Sequence, residues 1–191
     1  MSLINTDFYD CDYIHYICCC KYYPKTKTLK FPRNFNTELY KEFFTEEIEK
    51  KLATEVGGKA AEFVLPGKGG KAVKLSDFKG KFVLLDFWAT WCGPCIREMP
   101  RVKTLHEKLH PKGLEIVGVS LDKDPEALAA FLEKNPLPWE TLAGDDTQEL
   151  AGKYAVRAIP TMMLVDREGK IVAVSHSCDQ LVPLLEKLLE K

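Results

Sequence analysis

The chain has 191 residues, 46% of them hydrophobic, and its 27 basic and 28 acidic side chains leave a formal net charge of −1. This length supports one hydrophobic core with a modest extension, and the balanced charge creates no field that would gather nucleic acid or anionic lipid. Because no run of about 18 apolar residues occurs, the sequence predicts no membrane-spanning helix.

The first 56 residues differ in composition from the rest of the chain. They lack glycine and carry four of the seven cysteines, which are Cys11, Cys18, Cys19 and Cys20. Residues 37–51 space apolar side chains three and four apart, which predicts a helix. We therefore interpret residues 1–56 as a leader or linker, partly helical, and residues 57–191 as one domain.

Two specialised roles for the leader have little support. Cys11, His15 and Cys18 would offer ligands to zinc, but zinc motifs need two ligand pairs and only this loose cluster occurs. Acidic residues stand at the start, where a signal peptide has basic ones, and no long apolar run follows. The role of residues 1–56 and of their cysteines stays open.

From residue 57 onward the pattern indicates strands alternating with helices. Residues 62–65 and 72–75 flank a glycine-rich turn and predict a hairpin. The almost unbroken apolar run over residues 82–88 predicts a central strand covered on both faces. Residues 94–110 carry apolar side chains at three- and four-residue steps and predict an amphipathic helix after a very short link.

Residues 114–121 predict a second buried strand, which is followed by helix-start signals. Asp124 and the proline after it are typical of an N-cap and a first turn. Asp146, with Glu149 three residues on, resembles the capping box of a short helix.

The pattern in the last part of the domain predicts an antiparallel hairpin that forms the second half of the sheet. Strands are expected over residues 161–165 and 170–175, joined by a glycine-containing loop, and Asp179 is expected to open the final helix. The predicted order is β-β-β-α-β-α-α-β-β-α.

Cys92 and Cys95 have a spacing that carries chemical meaning by itself. Two cysteines three apart at a helix start can close a disulfide, and the free N–H groups and helix dipole there favour a thiolate at the first. Cys92 is therefore the predicted nucleophile, and Cys95, one turn deeper, the predicted resolving thiol. Pro94 lacks an N–H at a position where the helix needs none.

A CxxC pair can also be half of a zinc site or a chance spacing. A zinc site needs further ligands, no second cysteine pair follows, and Cys178 with His176 cannot complete an ordinary tetrahedral set. Redox chemistry is therefore favoured, and no metal is predicted. Cys178, His106 and His110 are interpreted as incidental, the two histidines as solvated side chains near a helix end.

The segment Asp86-Phe87-Trp88-Ala89-Thr90-Trp91-Cys92-Gly93-Pro94-Cys95 resembles the active-site block of the thioredoxin superfamily. Residues 74–81 and 117–122 resemble its TlpA/ResA branch and the alkyl hydroperoxide reductase/thiol-specific antioxidant relatives of that branch. The resemblance implies an α/β thioredoxin-like fold, a central mixed sheet flanked by helices. It also implies an N-terminal β-hairpin and an insertion after the second core strand, which residues 123–147 fit.

The resemblance also implies how a partner is bound. Pro160 would follow a cis peptide bond and pack beside the disulfide, and the backbone of Ile159 would pair with an extended substrate segment. Trp91 is interpreted as an apolar rim for partner docking, with core packing as the alternative. Gly93 and Pro94 complete the predicted substrate-binding residues.

Asp86 interrupts the apolar strand, and burying a carboxylate without a partner is costly. By resemblance it lies beneath the cysteines and helps deprotonate Cys95 when the mixed disulfide is resolved. A purely structural, hydrogen-bonded aspartate is the alternative.

The implied function is that of a thiol-disulfide oxidoreductase acting as a protein-disulfide reductase, with no cofactor beyond the redox-active disulfide Cys92–Cys95. Two alternatives stay open: a peroxiredoxin-like thiol peroxidase, whose P-x-x-x-T-x-x-C pattern is missing here, and a metal-binding or docking module. The implied partners are proteins with disulfides or thiols and a thioredoxin- or DsbD-like electron donor. The resemblance favours the cell envelope or periplasm, with the cytoplasm as the alternative.

Overall fold

The computed structural model describes residues 56–189. The helix expected over residues 37–51, and the leader cysteines Cys11, Cys18, Cys19 and Cys20, lie outside the described residues. The boundary between leader and domain at residue 57 therefore stays a prediction.

The described residues form seven strands, four α-helices and several short 3-10 turns. The strands are β1 (Val64–Pro66), β2 (Ala72–Lys74), β3 (Phe82–Trp88), β4 (Leu114–Ser120), β5 (Glu140–Leu142), β6 (Thr161–Val165) and β7 (Ile171–Ser175). The helices are α1 (Gly93–Leu109), α2 (Pro125–Lys134), α3 (Asp146–Lys153) and α4 (Val182–Leu189). Of the helices between residues 56 and 189, none combines the length and apolar character that a membrane span requires.

Five strands form one mixed sheet in the order β5-β4-β3-β6-β7, while β1 and β2 pair as a separate antiparallel hairpin. β3 is parallel to β4 and antiparallel to β6. All seven residues of β3 are buried, which its apolar run predicts for a strand covered on both faces. The mixed sheet with flanking helices confirms the predicted thioredoxin-like fold.

Alternate residues of β3 divide the core into two layers. Leu84 and Trp88 pack with the buried faces of α1 and α4, whereas Leu85 and Phe87 pack with α3 and the hairpin. Because successive side chains of a strand point to opposite faces, Asp86 faces the layer of Leu84 and Trp88. That layer also contains the two cysteines of the CxxC pair.

The predicted order lacks one strand, β5. It falls inside residues 123–147 and pairs in parallel with residues 117–119 of β4. β5 is three residues long and only Leu142 in it is fully buried, so its side chains leave no alternating pattern to detect. The insertion after β4 therefore contributes an edge strand as well as a helix.

The capping box predicted at Asp146 and Glu149 is wrong. α3 begins at Asp146 itself, and Asp145 at the N-cap makes no side-chain capping bond. The buried Thr147 Oγ1 instead lies 2.7 Å from the carbonyl oxygens of both Ser120 and Gly144. The helix start is thus anchored to the end of β4.

The final helix begins later than predicted. Asp179 belongs to the 3-10 turn Cys178–Gln180, and α4 starts at Val182. Leu185 and Leu189 form its buried face, as the leucine spacing predicts.

Candidate active site

The link between β3 and α1 carries the CxxC pair. β3 ends at Trp88 and α1 begins at Gly93, so four residues turn the chain from the sheet into the helix. Cys92 occupies the N-cap with an extended backbone, and its Sγ accepts a hydrogen bond from the Cys95 N–H at 3.2 Å. Cys92 and Cys95 form a disulfide, with Cα atoms 5.3 Å apart. After reduction, this N–H and the positive end of the helix dipole favour the thiolate of Cys92.

The exposed neighbours of the disulfide define the side from which a partner can approach. Cys92 is 5% exposed and Cys95 4% in the oxidised form, whereas Trp91 is 69% exposed. Gly93 and Pro94 are also exposed. The exposure of Trp91 excludes the core-packing alternative, while the contribution of these three residues to substrate binding stays a prediction.

The loop before β6 lies against the Cys92 sulfur. The Ile159–Pro160 peptide bond is cis, as the resemblance implies, and Pro160 is buried. The carbonyl oxygen of Ile159 is 3.7 Å from Cys92 Sγ. A segment paired with the Ile159 backbone would therefore pass directly beside the reacting sulfur.

Asp86 is a buried carboxyl in the same layer as the disulfide. It is 6% exposed, and its Oδ1 has no hydrogen-bond partner among the described residues, which disfavours a purely structural, hydrogen-bonded role. Burial, and secondarily the charge of Glu98, raises its pKa from 3.8 to about 7. A carboxyl with that pKa can exchange a proton at neutral pH, which is what a base for the Cys95 thiol must do.

Glu98 is a site residue that the sequence analysis did not single out. Its Oε2 accepts a hydrogen bond from the Cys178 N–H at 2.9 Å and lies 3.3 Å from Ser177 Oγ. Its Oε1 accepts a hydrogen bond from Arg101 Nη1 at 2.7 Å. Glu98 thereby connects α1 to the turn after β7. The sequence contains one indication of this role: Glu98 stands three residues after Cys95, so a helix places the two side chains on the same face.

Cys178 is a buried free thiol, 1% exposed. Burial, followed by the charges of Glu98, Asp179 and Asp86, raises its pKa to about 12. Since the thiolate is the reactive form, Cys178 is unreactive at neutral pH. This agrees with its interpretation as incidental.

His106 does not occupy the solvated position predicted for it. It is 8% exposed, and its ring stacks on that of His110 with centroids 4.6 Å apart. The centroid of the Trp139 ring lies 5.5 Å from that of the His106 ring. Burial lowers the pKa of His106, so the ring stays neutral at physiological pH. Within residues 56–189, no group of three or more His, Cys, Asp or Glu side chains is arranged to hold a metal ion.

Asp122 holds the loop that leads into the CxxC pair, and the sequence analysis did not assign it a role. It is 8% exposed. One carboxylate oxygen accepts a hydrogen bond from Thr90 Oγ1 at 2.6 Å, and the other accepts bonds from Thr90 N at 3.0 Å and Ser120 Oγ at 2.8 Å. The end of β4 is thus connected to the residue before Trp91.

Replacing Asp122 with Ala is expected to lower the free energy of unfolding by about 2–3 kcal/mol and to slow disulfide exchange. The change leaves the Thr90 N–H without its charged acceptor, and such bonds contribute about 1.5–3 kcal/mol each. Asp166→Ala is the matched control, because Asp166 Oδ1 accepts bonds from Glu168 N and Lys170 N in the turn between β6 and β7, at the end of β6 opposite the cis proline, and its loss also removes backbone hydrogen bonds to a carboxylate. Denaturant unfolding and insulin turnover measure both effects. Equal losses in the two variants would contradict a special role for Asp122.

A groove of about 800 Å³ lies beside Trp91 and Ile159. Its lining includes the apolar side chains of Leu121 and Val156, with Arg157 among its charged residues. A partner segment that pairs with the Ile159 backbone would continue along this groove. The groove therefore extends the predicted substrate surface beyond the residues identified from sequence.

Known proteins resemble this chain over most of the described residues. The AhpC/TSA family profile matches residues 56–174. The thiol-disulfide oxidoreductase ResA of Bacillus thuringiensis subsp. konkukian is 38% identical over 153 residues, covering 80% of this chain and 85% of that protein. The ResA protein of Bacillus subtilis is 37% identical over 124 residues, covering 65% and 69%.

Solved structures agree with these relatives. The thioredoxin domain of a thiol-disulfide oxidoreductase from Bacteroides vulgatus aligns with a TM-score of 0.66 at 34% identity, over 71% of this chain and 98% of that one. A thiol:disulfide interchange protein from a Bacteroides species also has a TM-score of 0.66, at 33% identity over 73% and 93%. With a CxxC disulfide at the N-terminus of α1 beside a cis proline, the chain belongs to the AhpC/TSA family and is a thiol-disulfide oxidoreductase of the TlpA/ResA-like thioredoxin type.

Proposed function

We propose that this oxidoreductase works as a reductase of disulfides in partner proteins. The observation that carries the proposal is the placement of Cys92, which caps α1, accepts the Cys95 N–H and lies 3.7 Å from the Ile159 carbonyl oxygen. These contacts support the Cys92 thiolate as the attacking group and support pairing of a partner backbone at Ile159. Gly93 and Pro94 between the cysteines also resemble the reducing members of the superfamily.

Two exchange steps transfer one electron pair to the partner. The Cys92 thiolate attacks one sulfur of the partner disulfide, forming a mixed disulfide and releasing the other partner sulfur as a thiolate. Cys95 then attacks the Cys92 sulfur, which forms the Cys92–Cys95 disulfide and releases the second partner thiolate. The partner is reduced and the protein is oxidised.

Asp86 supplies the base for the second step. Cys95 must lose its proton before it attacks, and a buried carboxylate in the same core layer can accept it. Because burial places the pKa of Asp86 near 7, the carboxyl can take up this proton and later release it at neutral pH.

A dithiol donor must return the protein to its reduced form. The donor attacks the Cys92–Cys95 disulfide and leaves as a disulfide, so the electron pair enters through the same exposed side of Cys92. A thioredoxin- or DsbD-like protein has the required chemistry.

Insulin reduction by dithiothreitol tests the proposal. Wild type is expected to accelerate precipitation of the insulin B chain, and Cys92→Ser is expected to fall to the rate of dithiothreitol alone. Cys178→Ala is the matched cysteine control, and it should keep the wild-type rate because its buried thiol is unreactive. If wild type is no faster than Cys92→Ser, the protein is not a disulfide reductase.

A further inference from the structure

A second cleft borders the disulfide and shares no residue with the groove beside Trp91. It has a volume of about 560 Å³ and is lined by Pro94, Arg97, Glu98, Arg101, Pro160 and His176. Pro94 belongs to the CxxC segment and Pro160 follows the cis peptide bond. The cleft therefore adjoins the reacting sulfurs from the side of α1 and the turn after β7.

Arg97 is an exposed cation at the mouth of this cleft. Its Nη1 lies 3.5 Å from the position that a Cβ atom on Gly93 would take, so the guanidinium lies beside one of the two residues between the cysteines. It makes no hydrogen bond or ion pair with any residue between 56 and 189. A guanidinium without a partner can donate two parallel hydrogen bonds to a carboxylate of another protein.

The acidic residue in the cleft does not neutralise Arg97. Both oxygens of Glu98 are occupied, one by Arg101 Nη1 at 2.7 Å and the other by the Cys178 N–H at 2.9 Å. Arg101 also lies 3.5 Å from Asp179, so it is paired with two carboxylates. Among the charged side chains that line the cleft, Arg97 is therefore the one without an ion-pair partner within residues 56–189.

His176 completes the polar wall next to the cis proline. Its Nδ1 lies 2.8 Å from the Pro160 carbonyl oxygen and 3.3 Å from Thr161 Oγ1. The bond to Pro160 fixes the ring and leaves Nε2 without a partner within residues 56–189. Because Nδ1 donates to that carbonyl, Nε2 of the neutral ring is an acceptor, so Arg97 supplies the N–H groups that a carboxylate in this cleft would need.

We propose that this cleft binds a carboxylate of the partner, an Asp or Glu side chain close in sequence to the partner's reactive cysteine. The inference rests on the proposed function and names the class of substrate segment that the site prefers. A segment paired with Ile159 places its cysteine at Cys92. Strand residues advance by about 3.3 Å, and Pro94 and Pro160 of the cleft are direct chain neighbours of Gly93 and Ile159. We therefore infer that a side chain close to the partner's cysteine can enter the cleft from the end of the segment opposite the groove. An acidic side chain there meets an unpaired guanidinium, whereas a basic one meets a like charge.

Synthetic peptides with one internal disulfide and acidic, neutral or basic residues beside the cysteines test the proposal. The second-order rate constant of each peptide with pre-reduced protein is divided by its rate constant with dithiothreitol, which removes the effect of the flanking charge on the disulfide itself. Wild type is expected to reduce the acidic peptide roughly three- to fivefold faster than the basic one at low ionic strength. High salt should shrink this ratio.

Arg97→Glu is expected to abolish or invert the ratio. Lys112→Glu is the matched control, since it makes the same charge change on an exposed side chain just beyond the far end of α1, roughly 22 Å from Arg97 at the helical rise per residue, and it should keep the wild-type ratio. Equal normalised rates for the three peptides with active wild type would overturn the carboxylate site and leave the reductase function standing. A wild-type preference that persists in Arg97→Glu would also overturn it. If no peptide is reduced faster by wild type than by Cys92→Ser, the proposed function itself fails.

Discussion

The wild-type protein is expected to become less stable as the pH rises above about 4, and Asp86→Asn is expected to lack this decrease. The pKa of Asp86 is about 7 in the folded protein, against an ordinary value of 3.8. Between these values the folded state keeps a proton that the unfolded state has released, so the free energy of unfolding falls with increasing pH. Because asparagine does not titrate, the free energy of unfolding of the variant lacks this pH-dependent decrease.

The size of the effect follows from the two pKa values. The interval from 3.8 to about 7, at about 1.4 kcal/mol for each unit of pKa, corresponds to about 4 kcal/mol. The stability of Asp86→Asn relative to wild type should therefore rise by up to about 4 kcal/mol between about pH 4 and pH 8. Urea unfolding at a series of pH values measures the free energy of unfolding of both proteins. The test is how the difference between them changes with pH, because the buried amide of the variant adds a hydrogen-bonding cost that is the same at every pH. Parallel curves for the two proteins would show that Asp86 does not titrate in this range.

The Asp86→Asn variant also tests whether Asp86 takes part in disulfide exchange. If Asp86 accepts the Cys95 proton, Asp86→Asn should slow resolution of the mixed disulfide and flatten the dependence of that rate on pH around 7. A variant that is stabilised at high pH and yet exchanges disulfides at the wild-type rate would leave Asp86 as a buried acid without a role in exchange.

Cys95→Ser is expected to accumulate partner proteins covalently attached to Cys92. Without the resolving thiol, the second exchange step cannot occur, and the mixed disulfide from the first step persists. Mass spectrometry of the complexes, with oxidised insulin or a disulfide peptide as partner, should locate the link at Cys92. Wild type should resolve the same complex and show only the free partner thiols.

Two controls define this trapping experiment. Cys92→Ser should form no complex through the CxxC segment, because Cys95 lacks the N-cap position and the backbone N–H contact that favour a thiolate at Cys92. The double variant Cys95→Ser with Cys178→Ala should trap as well as Cys95→Ser alone. Complexes linked mainly through Cys178 or through the leader cysteines would contradict the assignment of Cys92 as the attacking sulfur.

The elements that the sequence predicted well are those with strong periodicity or a strong local signal. β3 runs from Phe82 to Trp88 as expected, because an unbroken apolar run of that length is typical of a central strand. α1 begins within a residue of its predicted start, since apolar spacing and Pro94 both mark it. The helix then places Cys92 at the N-cap, so the reacting pair could be identified without coordinates.

The features that the sequence did not predict depend on contacts between distant residues. β5 is too short for a pattern and exists because it pairs with β4. Asp122 meets Thr90 and Glu98 meets Cys178 only after the sheet and α1 are assembled. The cleft that joins Arg97 to His176 likewise combines residues nearly 80 positions apart in the chain. No local spacing indicates such pairs, whereas the burial of His106 could have been anticipated from its position on the apolar face of α1.

The most direct test is the selectivity of alkylation in the fully reduced protein. Substoichiometric iodoacetamide at neutral pH, followed by mass spectrometry of the peptide that contains both Cys92 and Cys95, measures which sulfur is the accessible thiolate. Modification should fall on Cys92 first, with Cys95 and Cys178 protected, because the helix N-terminus and the Cys95 N–H favour the Cys92 thiolate, whereas burial raises the pKa of Cys178. Preferential modification of Cys95, or equal modification of the pair, would contradict the account.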